Sequence, residues 1–178
     1  MNDLRLRLAE DNDLATLVRL RDDAARWMPA EGITGQWQPG ESGQDHFLGV
    51  MANGEVWLAE AGGRVAGAWE LWWQDEDAWG PRPPVAGYVH RLMVDRASAR
   101  PGTERALLRA AERRVAEAGR EFVRLDCLAG SARLNAYDRT GVLNPASCPE
   151  RPATAGSRRA PAASTERPVP CASSATDG

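Results

Sequence analysis

Gly87-Tyr88-Val89-His90-Arg91-Leu92-Met93-Val94, followed by the turn Arg100-Pro101-Gly102-Thr103, is the stretch that decides the fold. The octet is β-prone but mixes polar with apolar residues, as a central strand with one face in a cleft does. After the turn, Ala106, Leu107, Ala110, Ala111, Val115 and Ala118 form the apolar face of a long amphipathic helix, which Gly119 stops. Phe122-Val123-Arg124-Leu125-Asp126-Cys127-Leu128 then reads as another strand. Strand, turn, helix and strand make a β-α-β crossover, so the strands ending at Val94 and Leu128 are expected to lie parallel.

Upstream, Leu4, Leu6 and Leu8 alternate with Arg5 and Arg7, the period of a half-buried strand. Asp11-Asn12-Asp13 offers capping groups, and Leu14, Leu17, Val18 and Arg21 follow at helical spacing, so a helix is expected to run to Trp27 or Met28 and end at Pro29. Residues 31–43 read as a structured loop holding Trp37, with a short helix over 44–50. Two β-prone runs, 55–60 and 64–73, flank Ala61-Gly62-Gly63, a hairpin turn. Residues 75–84 read as a polar, Pro-rich loop, and 131–137 as a short helix. The expected order is β-α-α-β-β-β-α-β-α.

The 178 residues, 43% of them hydrophobic, suffice for one domain with a sizeable core. A net charge of −3 with no basic stripe argues against nucleic acid. Cys127, Cys148 and Cys171 have no ligand-like spacing, so neither a disulfide framework nor a metal site is expected, and a reducing, cytoplasmic setting fits. The N-terminus lacks the pattern of a signal peptide and no apolar run reaches membrane-spanning length, so no membrane partner is expected.

Beyond Val142 the composition changes. Leu143 and Val169 are the only large aliphatic residues there, aromatics are absent, and six of the prolines break any long element. The expected division is therefore a folded domain over 1–142 and a disordered tail over 143–178. A natural flexible tail and a shifted reading frame both fit. The frame shift is favoured, because GC-rich DNA, which the all-arginine basic residues and the sole isoleucine Ile33 point to, gives mostly Ala, Pro, Arg, Gly, Ser and Thr when read out of frame.

The run from Tyr88 through Tyr137 resembles the core of the GNAT N-acetyltransferases. Ile33-Thr34-Gly35-Gln36-Trp37-Gln38-Pro39-Gly40 and Gly54-Glu55-Val56-Trp57-Leu58-Ala59 are similar to segments of small actinobacterial members. The likeness spans residues 4–142. It implies an α+β fold, a central mixed and mostly antiparallel sheet flanked by helices, here lacking the family's last two strands and so leaving an apolar sheet edge open. It also implies acetyl-CoA as co-substrate without a metal, and transfer of the acetyl group to an amine of a small molecule or peptide, by a monomer or homodimer.

On this resemblance Leu92, Met93 and Val94 would hold the pantetheine arm through main-chain groups. Arg100, Gly102, Thr103, Glu104 and Arg105 would form the diphosphate loop, where a helix N-terminus favours negative charge. The family pattern there is met in part: Gly102 is kept, but Ala99 and Glu104 replace its first and last members. Arg96, Arg100 and Arg105 are expected to offset the Glu104 charge. Ser131 takes the place of an asparagine that touches the coenzyme.

Acyl transfer to an amine needs a base, a donor to the carbonyl oxygen and an acid for the thiolate. His90 stands where many members place a water-linked carboxylate, and it equally fits a histidine that only bonds neighbouring loops. Tyr137, or Asp138 if the alignment slips by one, matches the general acid. Trp27, Trp57 and Trp69 read as core. Trp37, Trp72, Trp73 and Trp79 are candidates for an acceptor wall, with Asp75, Glu76 and Asp77 attracting a cation. Two alternatives stand beside the active enzyme: an impaired coenzyme-binding remnant, and a non-enzymatic Trp-rich binding module.

Overall fold

The computed structural model describes residues 4–33, 37–128 and 162–169. In chain order it comprises β1 (Arg5–Leu8), a 3-10 turn (Asp11–Asp13), α1 (Leu14–Ala30), α2 (Gln44–Asn53), β2 (Glu55–Ala61), β3 (Arg64–Trp72), α3 (Glu76–Trp79), β4 (Ala86–Val94), α4 (Thr103–Glu117), β5 (Phe122–Leu128) and β6 (Ala162–Pro168). The strands lie side by side in that same order. Every neighbouring pair is antiparallel except β4–β5, the expected crossover, with α4 as its connecting helix.

Strand alternation divides the core in two. On one face Val56, Leu58, Ala68 and Met93 meet Leu17 and Leu20 of α1 and Phe47 and Val50 of α2. On the other, Ala59, Trp69, Leu71 and Val89 meet Leu107, Ala110, Ala111 and Val115 of α4. Two glycines let α4 approach. A Cβ on Gly67 would fall 2.5 Å from the Met93 carbonyl oxygen and 2.6 Å from Leu107 Cδ1, and one on Gly87 would fall 2.5 Å from Val115 Cγ2.

Three local outcomes differ from expectation. α1 runs through Pro29 to Ala30, because a proline in a last turn breaks only a terminal bond; the N–H groups of Glu31 and Ile33 both return to the Met28 carbonyl. The polar loop after β3 contains α3, capped by Asp75, whose Oδ1 accepts from the Ala78 N–H at 3.1 Å. The third difference lies past Val142: residues 162–168 form β6, paired with β5 along its whole length from Phe122↔Pro168 to Leu128↔Ala162. The β5 edge is thus covered. Expecting no element from this composition overlooked that a ladder needs backbone groups first and side chains second. The helix expected over 131–137 lies outside the described residues.

Candidate active site

β4 and β5 pair only from Ala86↔Phe122 to Val89↔Leu125. β4 continues to Val94 on its other neighbour, β3, and β5 continues to Leu128 on β6. Past Val89 the ladder between the two strands ends, and among the described strands none pairs with that edge of residues 90–94. A one-residue bulge accompanies the parting. Glu70 opposes His90 but Ala68 opposes Met93, so Trp69 faces two residues of β4, Arg91 and Leu92. Arg91 absorbs the extra residue in a left-handed conformation, φ 44°, alone in this respect among the described non-glycine residues.

Leu92 is half-buried against the α4 core, Met93 lies in the α1–α2 core and Val94 in the α4 core. Immediately beyond, residues 95–102 form a compact turn centred on Asp95. Its N–H donates to the Ala66 carbonyl at 2.9 Å, its carbonyl accepts from Ser98 and Ala99, its Oδ1 accepts from the Ala97 N–H, and its Oδ2 takes Arg19 of α1 at 3.1 Å.

Gly102, φ 88°, then starts α4. Thr103 is buried and donates its hydroxyl to the Arg100 carbonyl at 2.8 Å, leaving Arg100, Gly102 and Arg105 exposed and Glu104 half-buried in the first turn. The first N–H groups of any helix lack an intrahelical acceptor, so an anion is favoured there, and Glu104 puts a carboxylate in that same turn. Of the arginines expected to offset it, Arg96 is committed elsewhere: its guanidinium lies 3.4 Å from the Trp27 ring centre.

The α1–α2 face of the sheet is polar where the strands part. His90 Nε2 stands 3.0 Å from Asp75 Oδ2, so Asp75, expected to attract a substrate cation, is turned onto the histidine. Beside His90, on β3, Glu70 is fully buried. It receives His46 Nε2 of α2 at 2.7 Å, Arg91 Nη1 at 2.9 Å and Trp72 Nε1 at 3.4 Å. Burial pushes the Glu70 carboxyl up, but the His46 hydrogen bond and the Arg91 and His46 charges outweigh it and hold the group below its usual value. Both histidines of the chain thus meet carboxylates on this one face.

Tyr88 and Arg124 complete the floor: Arg124 Nη1 donates to the Tyr88 hydroxyl at 2.6 Å, and its Nε reaches Glu166 of β6 at 2.5 Å. Trp79 meets Tyr88 edge-on at 6.0 Å, with Arg124 5.3 Å from its ring centre, and its indole N–H is buried without an acceptor. Trp37 packs against the α1–α2 core, with the Arg21 guanidinium 5.7 Å away. The other aromatics are packed or covered: Trp57 stacks on Trp69, and Trp73 lies near Arg114 and Arg120. Ser131, Tyr137 and Asp138 lie outside the described residues. Sequence reasoning missed His46, Glu70, Arg91, Tyr88 and Arg124. For Glu70 and Arg124 the signal was present, a charge set within a β-prone, largely apolar run.

Among the described residues, no three His, Cys, Asp or Glu side chains gather as a metal site would need, and no helix is long and apolar enough to cross a membrane. Several solved structures share the fold. A GNAT-family acetyltransferase from Listeria monocytogenes is similar at 25% identity and a TM-score of 0.67, covering 93% of this chain and 94% of its own. The ribosomal-protein-S18-alanine N-acetyltransferase of Escherichia coli gives 17% and 0.63, covering 98% and 99%. The PaiA N-acetyltransferase of Thermoplasma acidophilum, solved with coenzyme A, gives 17% and 0.62, covering 78% and 88%. Among curated proteins the sequence finds no match. Residues 17–141 match the acetyltransferase (GNAT) family, and with the parted strands β4 and β5 leading into α4, the chain belongs to that family.

Proposed function

We propose that this protein transfers the acetyl group of acetyl-CoA to an amine of a small molecule or peptide. The observation that carries the reading is that β4 and β5 stop pairing at Val89, one residue before His90, on the strand that leads into the start of α4. There the pantetheine arm lies along residues 92–94, its amides bonding the strand edge that β5 has left, and the diphosphate meets the N–H groups around Gly102, Glu104 and Arg105. A similar structure that holds coenzyme A supports this choice of donor.

The amine approaches from the α1–α2 face. His90, whose Nε2 lies 3.0 Å from Asp75, is the base that takes a proton from the ammonium directly or through one water. The freed nitrogen pair attacks the thioester carbonyl, the C–N bond forms, and the oxyanion is met by main-chain donors of β4. Collapse breaks the C–S bond, the thiolate takes a proton from Tyr137, the phenol that the family resemblance nominates, and the extra proton on the new amide nitrogen restores that phenol. Trp79 and Trp37 border the acceptor's approach, the first with a buried indole N–H to offer.

A second reading, a coenzyme-binding remnant that does not turn over, is favoured by Glu104, which sets a negative charge where a phosphate would sit. The Trp-rich module has less support, since Trp27, Trp57 and Trp73 lie against arginines instead of forming an open patch. Thiol release from acetyl-CoA across a panel of amines tests the enzyme. Turnover is expected, and His90→Ala is expected to lower it by roughly 10²- to 10⁴-fold. Background release with every amine, despite saturable acetyl-CoA binding, would establish the remnant.

A further inference from the structure

Glu70 is a fully buried carboxylate to which three elements contribute partners: His46 from α2, Trp72 from its own β3, and Arg91 from β4. A buried ion pair of this kind is poor value as mere stability, because an apolar side chain of similar size does as well or better. Its position suggests another role. Arg91 is the residue that carries the β4 bulge, and a side chain with a Cβ disfavours φ 44°.

The bulge has consequences for each residue after it. In a regular strand the residue following His90 would turn to the α4 face and the next to the α1–α2 face, and so on. With one residue inserted, Leu92 and Val94 face the α4 core and Met93 the α1–α2 core. Losing the bulge would invert all three and rotate the backbone edge that borders the cleft.

We propose that Glu70 is a positioning residue: its bond to Arg91, braced by His46, holds residue 91 left-handed and so fixes the strand edge of 92–94 along which the coenzyme lies. The inference rests on the acetyl-CoA reading of the cleft. The rival account is that burial of Leu92, Met93 and Val94 sets the bulge alone, with the ion pair incidental.

Two substitutions at residue 91 separate these accounts, because both remove the guanidinium but only one restores freedom at positive φ. Arg91→Ala is expected to weaken acetyl-CoA binding by roughly tenfold, in keeping with the strain of a left-handed non-glycine residue. Arg91→Gly, which adopts that conformation without penalty, is expected to bind within about twofold of wild type. Glu70→Gln should bind as poorly as Arg91→Ala, and the double variant Glu70→Gln with Arg91→Gly should recover. Calorimetric titration with acetyl-CoA reads all four, and the three-bond HN–Hα coupling of residue 91 separates φ near 44° from the extended φ of a regular strand with no ligand present. Equal affinity in the Ala and Gly variants, or an unchanged coupling in Arg91→Ala, overturns the proposal. Should Glu70→Gln not fold, the pair at residue 91 decides. A wild-type protein that gives no binding heat sinks the coenzyme reading instead, while the coupling still reports whether Glu70 holds the bulge.

Discussion

At the scale of single residues, charge placement decides most of what this site can do. Glu70 lies below its usual carboxylate value in the folded state, so its ionised form stabilises the fold above the unfolded-state pKa, and that contribution is lost as pH falls through the folded value. Glu70→Gln is therefore expected to cost about 3 kcal/mol at pH 7, the typical effect of breaking a buried pair. The gap between variant and wild type should narrow only as pH falls below the ordinary glutamate range, and urea unfolding at pH 7 and below that range measures it. Glu104 works in the opposite sense for the ligand. Removing its charge with Glu104→Gln should tighten acetyl-CoA, by about 0.3–1 kcal/mol from the helix-terminus effect, in a titration at low salt. Unchanged affinity would place the diphosphate elsewhere.

Among the secondary-structure elements, α4 and its two glycine contacts hold the cleft in shape. Gly67→Ala would drive a methyl group into the Met93 carbonyl, which belongs to the bulged strand and has little room to move. A loss of about 2 kcal/mol is expected from such overpacking, seen as a lower urea midpoint, with a smaller loss for Gly87→Ala, whose nearest atom is a side-chain methyl of Val115. The strands and long helices were legible in the sequence because alternation in 4–8, the β-prone runs 55–60 and 64–73 around a Gly-Gly turn, and the helical spacing of the apolar residues in 106–118 each point to one element type. The bulge at Arg91 was not, since a one-residue insertion leaves composition untouched and shows only when β3 supplies the register. Nor was β6: Ala-Ala-Ser-Thr-Glu-Arg-Pro has no apolar alternation, and its place follows from the open β5 edge and from Glu166 meeting Arg124.

For the molecule as a whole, the sheet sorts chemistry by face. One side carries α4 and an apolar core; the other carries α1, α2 and, where β4 and β5 part, a polar group built from Glu70, His90, Tyr88 and Arg124. The start of α4 could be named from sequence because it lies in the β-α-β crossover, whose geometry is general, and His90 because the family resemblance nominates its position. The partners of His90 and Arg91 could not, since Asp75 and Glu70 reach them through tertiary contacts only.

The most direct test follows backbone amides by two-dimensional NMR while acetyl-CoA is added to the isotopically labelled protein. The largest shifts are expected at Leu92, Met93 and Val94 and at Gly102, Thr103, Glu104 and Arg105, saturating with one equivalent bound. Shifts confined to other parts of the sheet, or none at millimolar acetyl-CoA, would contradict a coenzyme cleft between β4 and β5.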